Sequence, residues 1–234
     1  GWTNEDALQL YGWYTGLVYL TPLLGGLIAD KFTGYRKAIL IGALIMTLGH
    51  ASMALEGLSS NFFFLGLALM ILGNGMFKPN ISSMVGQLYP DSSAKKDAGY
   101  TIFYMGINAG AFLGMMLCGY IGEKIGWHYG FGLAGVFMFF GMLQFYFGQK
   151  IFGIIGSTPS KNEEIAAIYE KENEDSHDET SKAGIIRDRL IVVGVFMIAS
   201  LFFFFAFEQA GGSMSIFAKD YTQRALTGDS AVFF

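Results

Sequence analysis

Residues 62–89 read FFFLGLALMILGNGMFKPNISSMVGQLY and contain a single charged side chain, Lys78. A spanning helix needs about 20 mainly apolar residues, so this stretch is long enough to cross a bilayer. An ammonium within the hydrocarbon costs roughly 2.5–3.5 kcal/mol or more. Lys78 therefore either snorkels to an interface or faces a polar interior. Ten residues separate it from Leu88, about 15 Å of helix at 1.5 Å per residue. Pro79 follows it directly, and a proline bends a helix and leaves the carbonyl four residues back, here Gly75, without its donor. In lipid such a carbonyl is tolerated only where protein or a wet cavity covers it. The expectation is that Lys78 faces inward.

The rest of the chain has the same character. Of 234 residues, 53% are apolar, 16% aromatic and only 15% charged, and the charges fall between long apolar runs. Six spans are expected, at Leu8–Ala29, Ala38–Leu55, Phe62–Leu88, Tyr100–Ile121, Trp127–Gly148 and Leu190–Phe217, which makes an all-α, polytopic membrane protein. Lys31, Arg36, Lys37, Lys95, Lys96, Lys150, Lys161, Lys171, Lys182, Arg187 and Arg189 lie in loops on one side. Only Lys124, Lys219 and Arg224 lie on the other. The positive-inside rule places the richer side in the cytoplasm and both chain ends outside. Since the chain opens on Gly1 and stops at Phe234, the expectation is an internal piece of a larger transporter.

Short loops join the first five spans, which favours antiparallel neighbours in one bundle. Ile151–Ile186 then breaks the pattern with a polar, acidic linker. Within it, Asn162–Glu174 has the spacing of a surface helix, and Asn173–Ser181 has the composition of a disordered segment. The net charge of −4 is concentrated there. No basic patch with interleaved aromatics marks a nucleic-acid binder. Cys118 is the only cysteine, and His50, His128 and His177 have no ligand spacing, so neither an internal disulfide nor a metal site is expected.

Several polar or small residues within the spans stand out. Gly12 and Gly16, and Gly106, Gly110 and Gly114, repeat at the spacing that lets helices approach closely in lipid. Asn108 lies about 200° around the helix from Gly106, which directs its amide toward a cavity or another helix. Glu208 sits between Phe202–Phe207 and Ala210–Ala218. There it either lies at an interface near the end of a shorter span, or takes a proton or holds a partner as a relay group does. Gly211 and Gly212 after it permit close approach by a neighbour. Tyr11, Tyr14, Tyr19 and Tyr104 either line a polar cavity or pack as interface aromatics. In the short loop Gly26-Leu-Ile-Ala-Asp-Lys-Phe-Thr-Gly-Tyr-Arg-Lys37, the glycines suit a tight turn, Asp30 suits a helix N-terminus, and Arg36 and Lys37 favour the cytoplasmic face.

That loop resembles the signature between the second and third helices of the major facilitator superfamily, with one extra residue before Gly34. Gly73-Asn-Gly-Met-Phe-Lys-Pro-Asn80, Phe103-Tyr-Met-Gly-Ile-Asn-Ala-Gly110 and Phe207-Glu-Gln-Ala-Gly211 resemble the fourth, fifth and seventh helix motifs of proton-dependent oligopeptide transporters. The resemblance implies helices two to seven of a twelve-helix fold. Residues 1–150 would belong to the N-terminal bundle, 151–186 to a cytoplasmic linker between bundles, and 187–234 to the start of the C-terminal bundle. It implies that Tyr19, Lys78 and Asn108 bind substrate, and that Lys78 and Glu208 serve proton coupling, Glu208 through an interbundle salt bridge. It also implies that Asp30, Arg36 and Lys37 form a conformational loop. Gly12 stands where mammalian relatives carry a functional histidine, which favours coupling by carboxylates.

The expected function is proton-coupled symport of di- and tripeptides across the cytoplasmic (inner) membrane by alternating access. The expected partners are peptide, protons and the lipid bilayer, with no cofactor, metal or nucleic acid. The alternative is a major facilitator transporter of another small solute, such as nitrate or an amino-acid derivative. Neither a Ser/His pair nor adjacent intramembrane carboxylates point to an enzyme, and no nucleotide-binding P-loop is present.

Overall fold

The computed structural model describes residues 3–89, 93–158 and 179–222, and each expected span is mainly helical within it, the sixth being broken at residues 208–212. Helix α1 covers Asn4–Ile28, α2 Tyr35–Ala54, α3 Ser60–Gln87, α4 Ser93–Lys124, α5 Trp127–Gly148, α6 Glu179–Phe207 and α7 Ser213–Tyr221. A π-helical turn at Ala29–Thr33 follows α1, and 3₁₀ turns at Gln149–Phe152 and Glu208–Ala210 follow α5 and α6. The chain divides into two compact units, one of Tyr14–Tyr169 and one of Gly1–Trp13 with Glu170–Phe234.

Among the described residues, five segments are long and apolar enough to cross a membrane: Tyr35–Ala54, Ser60–Gln87, Lys95–Lys124, Trp127–Phe152 and Leu190–Tyr221. The first expected span forms a helix but does not meet that hydropathy standard. Its tyrosines, threonines, glycines and Pro22 dilute the leucines. At its start, Thr3 and Asp6 form a reciprocal capping box. The Asp6 amide donates to Thr3 Oγ1 at 3.1 Å, and the Thr3 amide and hydroxyl donate to Asp6 Oδ2 at 3.0 and 2.7 Å. These bonds, the hydroxyl's foremost, hold the Asp6 carboxyl below its ordinary range.

Two expectations about the chain's organisation change. Helix α6 begins at Glu179 rather than near Leu190, so the last residues of the expected linker are helical. Glu179, Lys182, Ala183 and Arg187 are good helix formers and need no membrane to continue the helix. The surface helix expected over Asn162–Glu174 lies outside the described residues. So does most of the disordered segment expected over Asn173–Ser181, but residues 179–181 open α6.

The small-residue faces also fall elsewhere. Among the described residues, a methyl added at Gly12, Gly16, Gly106, Gly110 or Gly114 would meet no heavy atom within 4 Å beyond its own helix backbone. Among the described residues, one close approach joins α2 to α3. A Cβ at Gly42 would stand 2.7 Å from the Gly73 carbonyl oxygen, and one at Gly73 would stand 2.8 Å from that of Gly42. Gly49 and Gly66 repeat the arrangement at 3.1 and 2.8 Å. The partners run in opposite directions seven residues apart, as an antiparallel helix pair requires. Met46 and Met53 pack over Gly73 and Gly66, where a flexible thioether fills irregular space. Ser52 closes the α2 end by donating to the Phe62 carbonyl at 2.7 Å.

Candidate functional site

Three side chains fasten α1 to α3. Thr21 Oγ1 donates to the Ile71 carbonyl at 3.0 Å, Asn74 Nδ2 to that of Val18 at 3.3 Å, and Asn80 Nδ2 to that of Gly25 at 3.3 Å. Asn80 is only 1% exposed, and its amide also reaches the Met76 carbonyl at 2.6 Å. The carbonyl that Pro79 leaves without a donor, Gly75, lies directly against Gly25, where any side chain would collide with it. Protein thus covers the freed backbone group, as a helix interrupted within lipid requires.

This seam positions Lys78. Its Nζ lies 5.0 Å from the centroid of the Tyr19 ring, a cation–π contact worth about 0.5–1 kcal/mol at an exposed site. An aromatic face attracts an ammonium through its ring quadrupole. Two of the three expected substrate contacts therefore meet. The third, Asn108, is exposed on α4 and donates to the Tyr104 carbonyl of its own helix at 2.9 Å. Tyr104 stacks on Tyr100 at 6.4 Å, and the Tyr100 hydroxyl donates to the Ser82 carbonyl of α3 at 3.1 Å.

In the other unit, Glu208 opens the 3₁₀ turn that interrupts the seventh expected helix motif. The Tyr11 hydroxyl lies 2.9 Å from Glu208 Oε2 and 3.3 Å from the Glu208 carbonyl oxygen. Gly211 packs against that hydroxyl so tightly that a Cβ would strike it. The glycines after Glu208 thus admit a tyrosine, a specific neighbour that sequence spacing did not single out.

The loop with Asp30, Arg36 and Lys37 contains the clearest local explanation. Its extra residue is absorbed by the π-helical turn, in which the Gly34 amide donates to the Ala29 carbonyl five residues back at 2.9 Å. Gly34 then turns the chain at φ +73°, a conformation suited to glycine. Arg36 clasps the turn after α5: Nε donates to Ile155 O at 2.6 Å, Nη2 to Gly153 O at 2.7 Å, and its amide to Gly156 O at 3.0 Å. Gln87 Oε1 accepts from the Gly156 amide at 3.1 Å. The Asp30 carboxylate faces the Tyr35 hydroxyl, and Lys37 is exposed.

A family model described as the POT family matches residues 36–169. The chain belongs to the POT family. It is 42% identical over 146 residues to the peptide transporter YePEPT of Yersinia enterocolitica subsp. palearctica serotype O:3 (strain YE-P4), covering 62% of this chain and 29% of that protein. It is 40% identical over 162 residues to the di-/tripeptide transporter of Lactococcus lactis subsp. cremoris, covering 68% and 32%. The chain thus spans about a third of the length of these curated POT relatives. A crystal structure of peptide transporter POT in complex with sulfate matches at a TM-score of 0.59 and 34% identity, over 79% of this chain and 42% of that one. The fold is accordingly all-α and polytopic, of the major facilitator type, in a family of transporters.

Asn74, Asn80 and Thr21 are structurally important residues that sequence reasoning left without a role, and for Tyr11 it named a polar cavity or an interface rather than the bond to Glu208. The two asparagines were visible as amides inside an apolar run. What they bond to was not.

Proposed function

We propose that this chain contributes the first bundle's binding wall and the start of the second bundle to a POT-family symporter. In this reading, di- and tripeptides move with protons across the cytoplasmic membrane by alternating access. Residues 1–150 belong to the first bundle, 151–186 link the bundles, and 187–234 begin the second, with the basic loops in the cytoplasm. Binding near the bilayer midplane between repeats is the usual arrangement for such transporters.

The observation that carries this reading is the Lys78 ammonium over the Tyr19 ring, 5.0 Å away, on an apolar helix that contains Pro79. Lys78 meets the peptide carboxylate, Tyr19 orients the lysine and lines the site, and Asn108 exchanges its bond to the Tyr104 carbonyl for one to the peptide backbone. Glu208 takes the coupling proton. Protonation weakens its interbundle contact and biases the rocking equilibrium, as coupling between two states requires. The Arg36 clasp, with Asp30 and Lys37 beside it, steadies the cytoplasmic loop during that motion.

The driving force is sufficient. One proton crossing 100 mV supplies about 2.3 kcal/mol, and one pH unit about 1.4 kcal/mol. Together they support roughly five-hundredfold accumulation of a neutral peptide. The test is labelled dipeptide uptake into proteoliposomes of the full-length protein with and without an inward proton gradient. Gradient-dependent accumulation supports the proposal. An active protein that accumulates nitrate or an amino-acid derivative and no dipeptide contradicts it.

A further inference from the structure

Pro22 lies inside α1. A proline has no N–H, so the carbonyl four residues back, that of Val18, loses its helical donor. Within a membrane such a group needs protein or water to bond to. The donor here comes from another helix: Asn74 Nδ2 of α3 reaches the Val18 oxygen at 3.3 Å. Pro79 frees a carbonyl of α3 in the same way, but that group, Gly75, rests against the bare backbone of Gly25. Of these two proline sites, the one in α1 has a side-chain amide of its own.

The position of that amide bears on the candidate site. Val18 immediately precedes Tyr19, and Asn74 stands four residues before Lys78, one helical turn and on the same face of α3. A single side chain thus ties the backbone beside the ring to the turn below the ammonium, whose Nζ stands 5.0 Å from the Tyr19 centroid. The short asparagine can span the gap because the backbones are close. A Cβ at Gly75 would stand 2.7 Å from Thr21 Cβ, and Thr21 Oγ1 donates to the Ile71 carbonyl at 3.0 Å. A helix bends most readily where a proline removes a bond. Without Asn74, the turn that carries Tyr19 is therefore the turn of α1 that is freed to shift.

From this we infer that Asn74 is a positioning residue of the carboxylate site: it supplies the donor that Pro22 withholds from Val18, holds Tyr19 under Lys78, and thereby sets how strongly a free carboxylate is preferred. The inference rests on the reading of Lys78 as the partner of the peptide carboxylate. It adds a residue that touches neither the peptide nor the lysine and acts through the backbone of α1.

The test is proteoliposome uptake by the full-length protein of a labelled dipeptide and of its C-terminal amide, with the ratio of the two KM values as readout and the thermal transition as the check on folding. The wild type is expected to prefer the free acid about tenfold or more, as a charge-assisted contact gives. Asn74→Leu, similar in size and without a donor, is expected to lower that preference about fivefold, the equivalent of a single hydrogen bond. In a Pro22→Ala background the main chain offers Val18 its own donor, so adding Asn74→Leu has little further effect on the preference. A discriminating wild type beside a folded Asn74→Leu protein that discriminates equally overturns the inference and leaves the reading of Lys78 standing. Equal losses with and without Pro22→Ala overturn it as well. A wild type with no preference contradicts the reading of Lys78 and the inference with it. If Asn74→Leu alone does not fold, adding Pro22→Ala is expected to restore folding, and failure to do so overturns the inference.

Discussion

The hydroxyl of Tyr11 lies 2.9 Å from the carboxylate oxygen Oε2 of Glu208, so a side chain from the first helix holds the one carboxyl group in the seventh helix motif. A hydrogen bond to a charged group contributes about 1.5–3 kcal/mol. Tyr11→Phe removes the donor and retains the ring against Gly211. Proton-driven dipeptide uptake by Tyr11→Phe is predicted to fall about tenfold, while the same change in a Glu208→Gln background has little further effect. Equal losses in both backgrounds would show that Tyr11 acts independently of Glu208.

The glycine pairs make a contrasting prediction. Gly73→Ala places a methyl 2.8 Å from the Gly42 carbonyl oxygen and 2.6 Å from Met46 Cγ, and overpacking of this kind costs about 1–3 kcal/mol. The thermal transition of the purified protein is predicted to drop. Gly141→Ala enters open space and leaves it within error. A Gly73→Ala transition equal to the wild type would mean that the α2–α3 seam yields easily.

Arg36 joins two segments far apart in sequence through a planar, multidentate group. Lysine is a point charge and cannot reproduce that geometry. Arg36→Lys is predicted to raise hydrogen exchange at the Gly156 amide, which donates to Gln87, by roughly tenfold or more, in line with loss of about 1.5–3 kcal/mol of charge-assisted bonding. Unchanged exchange would show that Gln87 and the glycine turn hold the segment unaided.

The legible part of this molecule follows from the cost of placing polar groups in lipid. Long apolar runs had to be helices, and Lys78 beside Pro79 had to be covered or used. The meeting of Lys78 with Tyr19 matches two residues singled out on that ground and by family motif. The hidden part concerns which surfaces face each other. Gly106, Gly110 and Gly114 have the short repeat expected of a packing face, yet the α2–α3 seam uses Gly42 with Gly73 and Gly49 with Gly66. Their spacing of seven appears only when two successive runs are read in opposite directions. Asn80 presents the same difficulty. Its amide was visible, but its bond to the Gly25 carbonyl depends on where α1 crosses α3. The extra residue before Gly34 has a local physical outlet in the π-helical turn, where the Gly34 amide donates to the Ala29 carbonyl.

The central claim is that Lys78, seated on Tyr19, receives the peptide carboxylate. The most direct measurement is a double cycle in proteoliposomes, comparing a labelled dipeptide with its C-terminal amide in wild type and in Lys78→Gln. Removing either charge is predicted to lower uptake about tenfold or more, and removing both to cost little beyond the first loss, since the two charges act on each other. Additive losses, or a wild type that takes up the amide as readily as the free acid, would contradict the assignment.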